Sequence, residues 1–175
     1  DVLVRINRPL RMALADLEAA IRAGADAIWV STMESPEHAQ LLSEVAREVE
    51  HECHRTLGST KFAAIIENPA AFFRAAEIAR ADPRIVAMGL GSEDFALETG
   101  MTPDSETLYL PKQTVQFAAR SAGIVPRSIS SRVGAPFGTP VGGGTVWANT
   151  LAGTRVDASM AERDDPRRFL RKARP

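Results

Sequence analysis

Two carboxylates, Glu67 and Asp94, each follow a short apolar run of the chain. Glu67 ends the run Ala63-Ala-Ile-Ile-Glu67, and Asp94 stands shortly after Met88-Gly-Leu-Gly-Ser92. If the two runs are neighbouring strands of a parallel sheet, their side chains converge at one edge of the sheet. Two carboxylates with room for water suit Mg²⁺. The alternative is that each carboxylate only stabilises the start of the next helix, and the residues themselves leave both interpretations open.

A third candidate is Arg5, one residue before the end of the first apolar run, 2–6. An arginine in a buried strand needs a partner. A substrate carboxylate or phosphate is one possibility, because the guanidinium fork matches both. An internal ion pair with Glu34 or Glu67 is the other, and the sequence does not decide between them.

Two glycines, Gly89 and Gly91, flank Leu90 in the run that precedes Asp94. Their small size could permit the close approach of a ligand. They could equally be small residues inside a barrel, so the sequence leaves their role open.

These candidates depend on alternating strands and helices for their positions. Short apolar runs predict strands at 2–6, 27–30, 62–66, 85–90 and 123–125. Helical periodicity predicts helices at 16–23, from Ser35 to about Cys53, at 70–81 and at 105–122. Ser35 and Pro36 are typical of an N-cap followed by the first helical residue.

Repeated strand–helix units imply an α/β fold with a parallel sheet, either an open doubly wound sheet or a (β/α)₈ TIM barrel. The first strand is followed by Asn7-Arg-Pro-Leu10, which is not the Gly-rich turn that is common in the open sheet. Polar residues instead gather at the carboxyl ends of the strands, so we predict the barrel. At 175 residues the chain is below the ~200 usual for that fold. Three explanations are open: a partner supplies some strands, the numbering omits part of the chain, or the barrel is incomplete. The opening and last strands are not recognisable.

The composition excludes a collagen, a small disulfide-stabilised protein and a wholly disordered chain. The chain has 21 basic and 22 acidic residues, a net charge of −1, and is 45% hydrophobic, as in ordinary globular proteins. This balance gives no support for a nucleic-acid partner. We recognise no membrane span and no signal peptide. The single cysteine, Cys53, cannot form an internal disulfide, which suits the cytoplasm.

The charge changes sign near Pro126. Residues 1–126 carry 12 basic and 18 acidic side chains, whereas residues 127–175 carry 9 basic and 4 acidic ones and are rich in Gly and Pro. We predict a barrel core at 2–126 and a divergent Gly- and Arg-rich C-terminal segment at 127–175.

Five segments of the chain are similar in order and spacing to one family. They are Val4-Arg-Ile-Asn7, Ala23-Gly-Ala-Asp26, Met33-Glu-Ser35, Ile65-Ile-Glu67 and Gly89-Leu-Gly-Ser-Glu-Asp-Phe-Ala96 with Gly100. They resemble the HpcH/HpaI aldolase and citrate lyase β-subunit family over about residues 2–126, and its citrate lyase branch most. The chain departs from the family at Ser31-Thr32, where the family often has Pro-Lys, and from Arg127 onward.

The resemblance implies a (β/α)₈ barrel, commonly a homotrimer or hexamer, with a divalent cation, usually Mg²⁺, held by Glu67 and Asp94. It implies that Arg5 contacts the substrate carboxylate. The implied reaction cleaves or forms a carbon–carbon bond in a 3-hydroxy acyl thioester, such as citryl-, malyl- or citramalyl-CoA, and yields acetyl-CoA and a 2-oxo acid. The sequence does not assign the general base.

Three functions are compatible with these observations. The first is the Mg²⁺-dependent thioester lyase, with an oxo acid and an acyl-CoA as its small-molecule partners. The alternatives are a metal-dependent aldolase acting on free 2-oxo acids and a degenerate, non-catalytic barrel subunit. For each we expect a homo-oligomer in the cytoplasm, with neither nucleic acid nor membrane as a partner.

Overall fold

The computed structural model describes residues 2–129 of the chain. Its strands are β1 (Leu3–Ile6), β2 (Ala27–Val30), β3 (Lys61–Ile66), β4 (Ile85–Gly91) and β5 (Val125–Ile129). Its helices are α1 (Leu10–Arg22), α2 (Pro36–Glu52), α3 (Pro69–Phe73), α4 (Ala75–Ile78), α5 (Ser92–Thr99) and α6 (Tyr109–Ser121).

All five strands are parallel, and their order in the sheet is their order in the chain, β1-β2-β3-β4-β5. A doubly wound sheet reverses its strand order at a switch point, whereas a barrel adds each strand beside the previous one. The predicted α/β fold of the TIM-barrel class is therefore confirmed. Over residues 2–129 the barrel is not closed, and β1 and β5 are the edges of the sheet.

The two faces of the sheet carry different sets of side chains. One face packs against the helices, and its fully buried members include Ile28, Phe62 and Met88. Side chains alternate between the faces of a strand. The opposite face therefore carries Ala63 and Ala87, which are paired across β3 and β4 and do not belong to the helix-packed core. The helix-packed face thus carries mostly large apolar residues, whereas the opposite face is mixed, with Ala63 and Ala87 beside the larger Trp29 and Ile65.

The first strand differs from the prediction. The run 2–6 was expected to be buried on both faces, but Val2 and Leu3 are 37% and 38% exposed, and Arg5 is exposed as well. The physical reason is the edge position of β1, because among the described residues only β2 flanks it. The apolar run alone cannot distinguish an edge strand from a central one.

The predicted helix at 70–81 is two short helices that meet at Arg74. Its backbone leaves the helical region there, with φ −106° and ψ 12°. The Arg74 guanidinium pairs with Glu37 of α2 at 3.0 Å and with Glu77 at 2.9 Å. The break lets one side chain connect α2 and α4, which periodicity within a single helix does not reveal.

Two further boundaries near the C-terminal end of the described chain differ from the prediction. Helix α5 was not predicted, because only Phe95 and Ala96 are buried among its eight residues and a helical period needs more apolar positions. The last strand begins at Val125 rather than at residue 123, since Gly123 adopts a left-handed φ of 73° just after α6 ends.

Strand β5 runs across the predicted domain boundary at 126/127. Apart from its first three residues, the predicted C-terminal segment lies outside the described residues, so that boundary stays a prediction. Among residues 2–129 no helix is both long enough and apolar enough to cross a membrane.

A buried ion pair lies at the amino-terminal edge of the sheet. Arg84, directly before β4, binds Glu50 of α2 through two hydrogen bonds of 2.8 and 2.7 Å, and both side chains are buried. The amides of Gly58 and Thr60 each donate to the Glu50 carboxylate at 2.7 Å. Burial raises the pKa of Glu50, but Arg84 and the two amides outweigh it and lower the pKa to about 2.

Candidate functional site

Glu67 lies at the carboxyl edge of the sheet, directly after β3. Its side chain is buried, with a residue exposure of 6%. The hydroxyl of Thr32, two residues after β2, donates a hydrogen bond to Glu67 Oε2. In the sheet, Ile66 pairs with Leu90 of β4, which brings Glu67 beside Gly91. Three strand ends therefore meet around one carboxylate, as the sequence predicts for a barrel mouth.

Gly91 is required for that arrangement. A Cβ atom at Gly91 would lie 2.4 Å from Glu67 Cγ and 2.6 Å from Glu67 Oε1, which is closer than real Cβ contacts. The glycine thus leaves room for the carboxylate of Glu67, a group of the chain itself, and the suggested approach of a ligand stays a prediction. Gly89 likewise permits the close approach of the β5 backbone, since a Cβ there would lie 2.3 Å from the Arg127 carbonyl oxygen.

The environment of Glu67 fits a cation. Within residues 2–129, no basic side chain forms an ion pair with this carboxylate, and its Oε1 atom accepts no hydrogen bond. A buried carboxylate without a positive partner is costly, and a bound metal ion removes that cost. Thr32 satisfies one oxygen, which leaves the other as a hard ligand of the kind that Mg²⁺ prefers.

Glu67 is not the cap of the next helix. The N-cap of α3 is Asn68, whose side-chain oxygen accepts a hydrogen bond from the amide of Ala71 at 2.8 Å. Asn68 therefore performs the capping role, and the Glu67 side chain contacts Thr32 of the neighbouring strand end instead.

Asp94 lies in the first turn of α5, which begins directly after β4, and its side chain is exposed. It is three residues beyond Gly91, so it lies at the same edge of the sheet as Glu67. A negative charge in the first turn also stabilises the N-terminus of a helix. Asp94 can therefore be a metal ligand or only a stabiliser of α5, and both interpretations stay open. Among residues 2–129 there is no group of three or more His, Cys, Asp or Glu side chains suited to a metal. A cation here would therefore take at most two carboxylates and complete its shell with water or substrate.

Arg5 lies on the same side of the molecule, but its environment differs from the prediction. It is exposed, and its Nε donates a hydrogen bond to Ser31 Oγ at 2.8 Å. The predicted internal ion pair with Glu34 or Glu67 is absent from the part of the chain that the structure describes, where Glu34 lies 3.9 Å from Arg8 instead. Because only Nε is engaged there, both terminal amino groups of Arg5 remain available for an anion.

Sequence reasoning placed Thr32 among the polar residues at the strand ends and noted Ser31-Thr32 as a departure from the family pattern, but it assigned neither residue a role in the site. Both are buried, and each contacts one predicted site residue. Two hydroxyl residues immediately after a buried strand are the signal that could have revealed them.

Comparisons with known proteins agree with this fold. The family model for HpcH/HpaI aldolase/citrate lyase matches residues 1–138. The chain is 35% identical over 128 residues to citrate lyase subunit beta of Haemophilus influenzae, covering 71% of this chain and 44% of that protein. It is 34% identical over 127 residues to citrate lyase subunit beta of Escherichia coli K12, covering 71% and 42%.

A solved structure resembles the fold in the same way. It is a citrate lyase β subunit from M. tuberculosis complexed with oxaloacetate and magnesium, with a TM-score of 0.57 and 24% identity. The match covers 72% of this chain and 53% of that one. The chain spans less than half the length of the two curated relatives. Since the family model and both relatives match most of the chain, it belongs to the HpcH/HpaI aldolase/citrate lyase family.

Proposed function

We propose that the chain carries the site of a Mg²⁺-dependent carbon–carbon lyase. Its substrate is a 3-hydroxy acyl thioester such as citryl-, malyl- or citramalyl-CoA, cleaved to acetyl-CoA and a 2-oxo acid or formed from them. The observation that carries the proposal is Glu67, a buried carboxylate without a basic partner in the described chain. The family, and the magnesium and oxaloacetate named for the M. tuberculosis protein, support it.

Glu67 and Asp94 are the residues that would hold the metal. A divalent cation held by these residues would supply Lewis-acid polarisation of the substrate oxygens. Glu67 contributes a ligand that is already fixed in place, because Thr32 holds one carboxylate oxygen and Gly91 leaves no side chain beside the other. A carboxylate held in a nearly dry environment interacts more strongly with a cation than one in water.

Arg5 would bind the carboxylate of the oxo acid. Its Nε is held by Ser31, and a guanidinium with two free amino groups can form parallel hydrogen bonds to a carboxylate. Because Arg5 is exposed, the substrate reaches it without a rearrangement of the sheet. Its role is to fix the orientation of the oxo acid relative to Glu67.

Calorimetric titration of Mg²⁺ into the wild type, Glu67→Ala and Asp94→Ala tests the proposal, with oxaloacetate, glyoxylate or pyruvate present in turn. We expect binding that requires both carboxylates and tightens with one of the oxo acids. Glu48→Ala, which removes an exposed carboxylate from α2, is the matched control and should bind as the wild type does. Equal binding by the wild type and Glu67→Ala would overturn the metal site.

An assay with acetyl-CoA and the selected oxo acid then separates the lyase from the free-acid aldolase. Consumption of the thioester supports the proposal, whereas turnover of the oxo acid alone supports the aldolase. Folded wild-type protein that binds Mg²⁺ but turns over neither substrate would support a non-catalytic barrel subunit.

Assembly into a homotrimer or hexamer in the cytoplasm is part of the proposal. Large apolar side chains are exposed on three helices, with Phe73 84%, Leu97 80% and Leu110 70% exposed. A contiguous exposed apolar patch is typical of a surface that binds another protein, and these side chains are the candidates for such a patch. Light scattering coupled to size exclusion should give a mass of three or six chains, and a monomer would contradict this part.

A further inference from the structure

Two consecutive hydroxyl residues after β2 contact two of the three side chains that the proposed function assigns to the site, Arg5 and Glu67. Ser31 Oγ accepts the hydrogen bond from Arg5 Nε at 2.8 Å, and Thr32 Oγ1 donates to Glu67 Oε2. Both hydroxyl residues are buried, with exposures of 7% and 6%. One short segment therefore reaches the strand on each side of it, β1 through Ser31 and the end of β3 through Thr32.

The backbone at Thr32 is held in an unfavourable conformation. Its φ is 52°, in the left-handed region that β-branched residues rarely adopt. The other described non-glycine residue with positive φ is His54, which is exposed in a loop and is not β-branched. A buried threonine in this conformation persists only where its surroundings hold it, and such residues concentrate at functional sites.

We propose that Ser31 and Thr32 are positioning residues for the two halves of the site. Thr32 fixes the carboxylate of Glu67 so that Oε1 is presented to the cation. Ser31 fixes the Arg5 guanidinium so that its two terminal amino groups are presented to the carboxylate of the oxo acid. This inference rests on the proposed function, and it assigns separate effects to two adjacent residues.

The hydroxyl of Thr32 should set the affinity for Mg²⁺. Removing the residue that orients a metal ligand costs about 10–100-fold in metal affinity. We expect at least a tenfold loss in Thr32→Val, which keeps the branched shape, and retention within about threefold in Thr32→Ser, which keeps the hydroxyl. Titration calorimetry with Mg²⁺ alone measures the effect without any turnover.

Two further variants keep the result interpretable. Thr32→Gly also lacks the hydroxyl but accepts a positive φ without strain, so it reports on the hydroxyl if Thr32→Val does not fold. Thr60→Val removes a buried threonine hydroxyl at the opposite edge of the sheet, where no hydrogen-bond partner exists among the described residues. Thr60→Val should bind Mg²⁺ as the wild type does.

Ser31→Ala should show the complementary effect. We expect its affinity for Mg²⁺ to stay within about threefold of the wild type, and its affinity for oxaloacetate at saturating Mg²⁺ to fall about tenfold. Ser43→Ala is the matched control, since Ser43 Oγ accepts a hydrogen bond from Arg84 Nε in the same way, at 3.1 Å, away from the site. A loss of oxaloacetate affinity that is as large in Ser43→Ala would overturn the role of Ser31.

The variant Glu67→Ala separates the failure of this inference from the failure of the proposed function. If Glu67→Ala loses Mg²⁺ binding while folded Thr32→Val or Thr32→Gly keeps it, the positioning role is overturned and the metal site stands. If Glu67→Ala binds Mg²⁺ as the wild type does, both are overturned. Loss in Glu67→Ala and in both hydroxyl-free variants, with retention in Thr32→Ser, supports both.

Discussion

Two buried glutamates mark the opposite edges of the sheet, and their surroundings differ sharply. At the amino-terminal edge, Glu50 receives two hydrogen bonds from Arg84 and one from each of the amides of Gly58 and Thr60. At the carboxyl edge, Glu67 receives one hydroxyl hydrogen bond and has no basic partner among residues 2–129. The protein neutralises the first carboxylate, and we propose that the second binds an external cation.

The difference indicates that the two edges of the sheet have different roles. In TIM barrels the carboxyl ends of the strands perform the chemistry and the amino ends contribute to stability. Here both edges use the same elements, a glutamate, an arginine and a serine that holds the arginine by its Nε. At the amino edge the glutamate and the arginine bind each other, whereas at the carboxyl edge Glu67 and Arg5 form no ion pair within the described chain.

Exchanging each glutamate for glutamine should produce the largest difference between the two edges, measured as the free energy of unfolding. Glu50→Gln leaves the Arg84 guanidinium buried without a counter-charge, and we expect the free energy of unfolding to fall by about 3–5 kcal/mol. Glu67→Gln removes a buried charge that no basic residue of the described chain neutralises. In the absence of Mg²⁺ its stability should therefore equal or exceed that of the wild type. Urea unfolding in EDTA measures both, and an equal loss in the two variants would contradict the contrast.

Adding a methyl group to each glycine of β4 should separate folding from binding. In Gly91→Ala the new Cβ meets the side chain of Glu67, so Mg²⁺ binding should be lost while most of the stability is kept. In Gly89→Ala it meets the backbone of Arg127, which cannot move away as a side chain can. We expect a loss of about 1–3 kcal/mol there. Calorimetry and urea unfolding on both variants check this, and the reverse pattern would refute it.

The pH dependence of stability should come in part from the amino-terminal edge. The pKa of Glu50 is about 2 in the folded protein, below its ordinary value of 4.5. A lowered pKa gives stability that is complete above 4.5 and is lost as the pH falls towards 2. The wild type should lose stability over that range, and Glu50→Gln should lack this part of the loss. Equal pH slopes in urea unfolding series of the two proteins would count against it.

Replacing Ser43 or Ser31 by alanine should give the smallest difference in the free energy of unfolding. Ser43→Ala leaves the buried Arg84 Nε without its acceptor, and we expect a loss of about 1 kcal/mol in the free energy of unfolding. Ser31→Ala leaves Arg5 exposed to water, which can replace the lost acceptor, so stability should change little. Thermal unfolding resolves the difference, and a larger loss in Ser31→Ala would contradict it.

The sequence predicts the fold where side-chain patterns are local. The span of β2 and the Ser35 cap of α2 agree with the prediction, because apolar runs and capping residues act over a few positions. The edge position of β1 and the break at Arg74 depend on neighbours far along the chain, which a run of residues does not reveal.

For the candidate site, the sequence predicts the positions of the carboxylates but not all of the contacts around them. Glu67 and Asp94 could be placed at the carboxyl edge because strand ends are visible in the sequence. Two hydroxyl residues after a buried strand could have marked Ser31 and Thr32 as site candidates. Their partners could not be predicted, because each residue reaches a different strand and a positive φ at a threonine has no sequence signature. The metal and the roles of Glu67, Asp94 and Arg5 stay predictions.

We propose that Glu67 needs a cation from outside the chain. The most direct test measures the free energy of unfolding of the wild type, Glu67→Gln and Ser43→Ala at increasing Mg²⁺ concentrations. A ligand that binds only the folded state stabilises it by about 1.4 kcal/mol for each tenfold excess over its Kd. We predict this rise for the wild type and for the less stable Ser43→Ala, and no rise for Glu67→Gln. A rise of equal size in Glu67→Gln, or none in the wild type, would contradict the claim.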